Sequence, residues 1–257
     1  MNSTASTGSG TYKPGAARFR AAKALFRKEL SSYFQTPVAY IVGAIFLGAT
    51  ASLFFSVFFL FDRVEMRQFF STLPILLAIL MPALSMRLIA EEKRRGTWEI
   101  LTTLPVRNLE IVLAKFAAVW VTGLFLLAPT LFFTFTVGTM GPLDPGPVAG
   151  GYLGAVLLAA AYSAIGLFAS SLTRNETTAL ITGLVLCLLF ALLNVFLVLI
   201  PAPLVPLFEY LSVGYHFAGF AQGIVDSRSV VYFVSLTAGF LIFSLYRLNM
   251  NRTGDAQ

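Results

Sequence analysis

Apolar residues dominate this chain in six long runs, and its charged residues lie almost entirely between them. The runs predict helical spans at residues 37–61, 73–90, 109–137, 148–172, 177–200 and 230–248. The first, with 25 residues, extends about 37 Å at 1.5 Å per residue. That crosses a hydrocarbon core of about 30 Å with some tilt. Pro74 falls in the first turn of the second span, where proline is tolerated. Pro82 and Pro129 are internal and predict kinks. The stretch from Gly141 to Pro147 predicts a turn that no helix survives. The fourth span carries Gly150, Gly151, Gly154, Ala155, Ala159, Ala161, Gly166 and Ala169. Small residues let membrane helices approach closely, so this span is expected inside the bundle. A tight turn follows at residues 173–177, with Asn175 or Thr173 as the cap of the fifth span.

Two stretches follow a different pattern. In residues 18–34, Phe19, Ala22, Phe26, Leu30 and Tyr33 recur at spacings of three and four, which is one helix face. Arg18, Arg20, Lys23, Arg27 and Lys28 occupy most of the rest. A basic amphipathic helix of this kind lies in the headgroup plane. Residues 201–228 are too broken by Pro201, Pro203 and Pro206 to cross, and too apolar for a free loop. They predict short helices lying at, or re-entering, the outer interface, with Gly214, Gly219 and Gly223 at bends or close contacts. Residues 1–17 and 249–257 read as polar tails, and residues 18–248 as one membrane domain. The fold class is therefore all-α and polytopic: six transmembrane helices, an N-terminal interfacial helix and an outer segment before the last span.

Composition supports this. The chain has 257 residues, 57% hydrophobic and only 12% charged, with mean hydropathy +0.81. A soluble domain is about a quarter charged. The first twenty residues lack an apolar core and a small-residue cleavage site, so no secretory signal peptide is expected. The net charge is +6, and its placement sets the topology. Fifteen Lys/Arg and seven Asp/Glu fall on the side that holds both termini, residues 87–115 and the 173–177 turn. Three Lys/Arg and five Asp/Glu fall on the other. Basic loops stay inside, so both termini are expected in the cytoplasm. The basic balance is a topology signal and does not point to nucleic acid.

Catalytic chemistry is not legible. The chain has one histidine, His216, and one cysteine, Cys187. No G-x-x-x-x-G-K-[ST] loop is present, so this chain binds no nucleotide through that motif. No cofactor or metal is expected in it. His216, between Tyr215 and Phe217, reads as an interfacial aromatic anchor before it reads as a proton or metal site. Arg87 and Lys115 approach span interiors, both expected to snorkel to the cytoplasmic face. Asn194 is the main strongly polar group within a span and is expected to hydrogen-bond between helices. Ion-coupled carriers keep charges in their spans; this chain shows no such internal machinery.

The densest charged interval, residues 87–107, reads R-L-I-A-E-E-K-R-R-G-T-W-E-I-L-T-T-L-P-V-R. Gly96 is placed to end a helix. Thr97 can cap a short helix from Trp98 to Leu104, with Glu99 in its first turn and Pro105 after it. Such an amphipathic helix suits docking to a soluble partner. A solvated loop that only joins two spans accounts for the residues equally well.

The pattern A-E-E-K-x-x-G-T-x-E-x-L-x-T-x-P, residues 90–105, resembles the loop after the second span in ABC-2 type transporter permeases. The chain is most similar to the gliding-motility-associated ABC permease family (GldF-like). Three further stretches carry that likeness: F-R-K-E-L-S-S-Y-F-x-T-P at residues 26–37, L-A-A-A-Y-S-A-I-G-L-F-A-S-S-L-T at residues 158–173, and Y-H-F-A-G-F-A-Q-G-I-V-D-S-R at residues 215–228. The resemblance implies a permease subunit in a bacterial inner membrane, coupling a separate cytoplasmic ATPase to export-like movement of a substrate. That ATPase would bind ATP and Mg. A second permease copy, or a homologous permease, would pair with this one. A companion subunit with a periplasmic domain and membrane lipid are the other implied partners. ATPase docking would use Glu91, Glu92, Lys93, Gly96, Thr97, Trp98, Glu99, Leu101 and Pro105. Tyr215, His216, Phe217, Gln222, Asp226 and Arg228 would meet an outer partner or gate the exit. The rival readings are mechanical work on an outer-face partner without transport, a membrane structural protein, and a membrane-embedded enzyme. The missing catalytic groups disfavour the last.

Overall fold

A computed structural model describes residues 14–61, 66–98, 107–141, 144–196 and 201–254. Its helices are α1 Pro14–Gln35, α2 Pro37–Phe61, α3 Arg67–Ser85, α4 Ala90–Arg95, α5 Asn108–Leu127, α6 Leu131–Met140, α7 Pro145–Leu172, α8 Glu176–Phe196, α9 Val205–Leu211, α10 Val213–Ala221 and α11 Ser227–Gly254. No strand occurs among the described residues. Six helical stretches are long and apolar enough to cross a membrane: Pro37–Ser56, Arg67–Arg95, Asn108–Thr139, Pro145–Leu172, Glu176–Phe196 and Ser227–Met250. The chain is an all-α polytopic membrane protein.

Prolines account for several boundaries, but Pro74 lies inside α3 with Pro82 and not in its first turn, because α3 already starts at Arg67. α1 starts at Pro14, four residues before the amphipathic pattern, because proline is well suited to a first helical turn. It stops before Pro37, since the residue preceding a proline disfavours helical angles. The expected turn before the fourth span is shorter than its prolines suggested. α7 already begins at Pro145, where Asp144 caps it by accepting from the Gly146 amide at 3.0 Å. Pro147 also sits in that first turn, where a missing N–H costs nothing. Pro129 interrupts the third span more than a kink would. α5 ends at Leu127, a single 3-10 turn spans Ala128–Thr130, and α6 resumes at Leu131. The Thr130 hydroxyl donates to the Leu127 carbonyl at 2.6 Å within this break.

α7 is the centre of the bundle. It packs on α3, α5, α8, α10 and α11, and Gly150, Gly151, Gly154, Ala155, Ala159, Ala161, Gly166 and Ala169 are all buried. At Gly166 an added Cβ would lie 2.5 Å from the Ser85 hydroxyl oxygen, so α3 reaches the α7 backbone only because no side chain intervenes. Close packing of this kind, rather than a hydrophobic drive, holds helices together in lipid. α1 lies along α5 with Ala22, Phe26, Leu30 and Tyr33 half-buried and Arg20, Lys23, Arg27 and Lys28 exposed. The predicted face is the one that packs.

Asn194 departs from expectation. It is exposed, near the end of α8 and not deep within it. The buried amide that does bridge helices is Asn108, whose Nδ2 donates to Asn249 Oδ1 at 2.6 Å and joins the start of α5 to the end of α11.

Candidate functional site

α4 has no capping residue of its own. Its N-cap, Ile89, offers no side-chain hydrogen bond. The cap comes from α7: the buried Ser170 hydroxyl oxygen accepts from the amides of Ile89 at 3.0 Å and Ala90 at 3.1 Å, and the hydroxyl donates to the Met86 carbonyl at 3.0 Å. One side chain thus satisfies both ends of the break between α3 and α4, a break that would otherwise leave buried amides unpaired. Charge along α4 follows its dipole, with Glu91 and Glu92 in the first turn and Lys93, Arg94 and Arg95 in the last. Gly96 ends it at φ 71°, the left-handed region that glycine occupies without strain.

The side chains of α4 reach three other helices, and a fourth through Lys115. Lys93 Nζ donates to the Ser171 carbonyl at the end of α7, at 2.5 Å. Glu176, in the first turn of α8, takes Arg87 at 3.0 Å and Arg94 at 2.6 Å. Glu92 accepts from Lys115 of α5 at 2.9 Å, and Glu29 of α1 accepts from the same ammonium at 2.9 Å. Lys115 does not snorkel: its side chain is 1% exposed, enclosed by these two carboxylates. Enclosing an ammonium two turns inside an apolar run is costly unless it is ion-paired, and here two carboxylates face it. Glu91 pairs with Arg95 at 2.5 Å along α4 itself. The Thr97 hydroxyl donates back to the Glu92 carbonyl at 3.4 Å, and Trp98 is 9% exposed within the core. Glu99, Leu101 and Pro105, with most of the expected short helix, lie outside the described residues. Arg94 and Arg95, left out of the expected docking set, are the most exposed of these charged groups, at 58% and 65%. A cleft of about 390 Å³ opens between α1 and this loop, walled by Lys28, Tyr33, Arg87, Glu91, Arg95 and Thr97.

At the opposite end, residues 201–226 fold as a 3-10 turn, α9, α10 and a closing turn. α10 packs on α3, α7 and α8. An added Cβ on Gly150 would fall 2.6 Å from the Phe220 carbonyl, so α10 touches the α7 backbone directly. Gly223, at φ 82°, turns the chain against Gly146 and Pro147. His216 is not a surface anchor. It is 3% exposed, its ring stacks on Tyr232 at 4.1 Å, and its Nε2 donates to the Tyr210 carbonyl at 2.9 Å. A carbonyl only accepts, so the neutral ring carries its proton on Nε2, and Nδ1 accepts from the Ser229 hydroxyl at 3.1 Å. Burial holds the His216 pKa below its ordinary value, against the Tyr210 bond and the Asp226 charge, which raise it. Phe217, 1% exposed, also points inward. Asp226 caps α11, its carboxylate accepting from the Arg228 amide at 2.9 Å. Tyr215, Gln222 and Arg228 remain exposed.

Among the described residues no three His, Cys, Asp or Glu side chains gather as a metal-ligating group. Cys187 is a buried free thiol. The arrangement is a charged loop tied by named bonds to α5, α7 and α8, and through Lys115 to α1. A family model described as ABC-2 family transporter protein matches residues 65–249. No curated protein matches the chain.

Proposed function

The chain belongs to the ABC-2 family of transporter proteins, and on that premise we propose that it is a permease subunit whose ATPase docks on α4, Gly96 and Thr97. The family supplies the membrane component of an ABC transporter, and ATP hydrolysis belongs to a separate subunit. ATP and Mg are then bound by that subunit, on the cytoplasmic side, and both termini of this chain lie on the same side. One observation carries the reading. α4 is fastened to the bundle by Ser170, Lys93, Glu176 and Lys115, so a displacement imposed on this loop moves α1, α5, α7 and α8. Arg94 and Arg95 stay exposed beside the left-handed Gly96, available to a soluble partner.

Two permeases, identical or homologous, pair around the path, and the cargo moves outward. The narrower likeness to gliding-associated permeases rests on residues 26–37, 158–173 and 215–228, and adds a companion with a periplasmic domain. Exposed Tyr215, Gln222 and Arg228 around the packed α10 favour a second reading, in which the same coupling performs work on that companion without transport.

Purification in mild detergent tests the first reading. An ABC ATPase is expected to accompany the chain, and a photoreactive residue replacing Arg94 is expected to crosslink to it. Recovery of the chain with no ATPase overturns the docking proposal. Reconstitution in liposomes separates the two readings: ATP turnover with no solute flux favours mechanical work.

A further inference from the structure

We propose that the seam between α7 and α11, at the end where Lys93 meets Ser171, binds the phosphate headgroup of an anionic phospholipid. Three cations from three segments converge there. Lys93 Nζ donates to the Ser171 carbonyl, and the charges that act on it are Arg174 and Arg247, both positive. Neither arginine has an ion pair among the described residues, and both are exposed. The carboxyl end of α7 offsets about half an elementary charge. Three cations exceed that, so the site keeps a positive surplus that an anion relieves.

The surface beside the cations selects a lipid over a soluble acidic protein. Phe168 of α7 meets Phe243 of α11 at a ring distance of 6.1 Å. One turn further along each helix stand Leu172 and Arg247, because residues four apart share a face. Leu172, Ile242, Phe243 and Tyr246 are 39%, 63%, 56% and 65% exposed. An apolar flank therefore runs directly beneath a basic crown, the shape of an acyl chain below its phosphate. Basic pockets between helices at a membrane surface bind such headgroups. This site does not depend on the ATPase.

The test is native mass spectrometry of the purified chain with phosphatidylglycerol or phosphatidylcholine in mixed micelles. Wild type is expected to retain phosphatidylglycerol preferentially. Each arginine removed weakens retention about fivefold, so Arg174→Gln with Arg247→Gln lowers it about 25-fold. Arg67→Gln, at the exposed start of α3 on the opposite face, is expected to leave it unchanged. Arg174→Gln alone, in an exposed turn, gives a fivefold loss should the double variant not fold. Retention within twofold of wild type in the arginine variants overturns the proposal. So does equal retention of phosphatidylcholine, or displacement of the lipid by millimolar inorganic phosphate, which would mark a free-anion site.

Discussion

The ammonium of Lys115 lies 2.9 Å from the carboxylate of Glu92, joining the third span to the loop helix α4. Lys115 stands seven residues after the start of α5, about 10 Å along it. Glu29 holds the same ammonium from α1, so three elements distant in the chain meet at one charge. Removing Lys115 leaves both carboxylates without their cation. Lys115→Ala is expected to cost about 3 to 5 kcal/mol of stability, read as a lowered thermal midpoint in detergent. Lys115→Met with Glu29→Gln and Glu92→Gln is expected to recover most of it. A single Lys115→Ala variant as stable as wild type would count against an ionic cluster.

Gly96→Val places a β-branched residue at φ 71°. Left-handed angles cost an L-residue about 1 to 2 kcal/mol, local to the end of α4. The variant is expected to insert normally and to lose ATPase recovery and stimulated turnover. Glu99→Lys is expected to act in the same direction. Unchanged recovery and turnover in both would sink the docking assignment.

Ser170→Ala leaves the amides of Ile89 and Ala90 without their acceptor. An unsatisfied buried group costs about 1 to 3 kcal/mol. Faster hydrogen exchange at these two amides is expected, with weaker coupling of turnover to binding. Exchange at the wild-type rate would show that another group caps α4.

His216 predicts a pH dependence. Its folded pKa lies below the ordinary 6.5 because the ring is buried. Above pH 6.5 both states are neutral and the ring contributes nothing to the slope. Below it the unfolded chain binds a proton that the folded chain resists, so stability falls as the pH drops. The thermal midpoint of wild type is expected to decline between pH 6.5 and 5 more steeply than that of His216→Gln. Parallel profiles would remove His216 as the cause.

Topology is read with single cysteines at Ser3, Asp144 and Gly254 in a Cys187→Ser background. An impermeant thiol reagent on intact cells is expected to label only Asp144→Cys. Labelling of Ser3→Cys would reverse the orientation.

What the chain made legible follows from what a bilayer demands. Apolar runs long enough to cross it predicted all six spans, and the small residues of residues 148–172 predicted the central helix. The periodicity of residues 18–34 identified the packed face of α1, and Asn175 does cap α8, accepting from the Thr177 amide at 2.9 Å. What escaped was pairing over distance. Lys115 read as a snorkelling cation because its partners lie 86 and 23 residues away. The available signal was Glu29, a carboxylate at the edge of the apolar stripe of a basic helix. Ser170 escaped because a cap is ordinarily sought beside the helix it serves. His216 and Phe217 read as surface residues because aromatic residues near prolines resemble an interfacial belt, whereas Gly154 of α7 leaves room for Phe217 and Phe220, and His216 stacks on Tyr232 of α11.

α7 is fastened near both ends: Ser170 grips the α3–α4 break, and Gly150, twenty residues earlier, abuts the Phe220 carbonyl. About 30 Å of uninterrupted helix separates the two, with prolines only in its first turn. The rod therefore reaches from one face of the bundle to the other. α10, seated against that far tip, and the α3–α4 break at the other thus share one backbone, so the two faces of the bundle are linked by a single unbroken element.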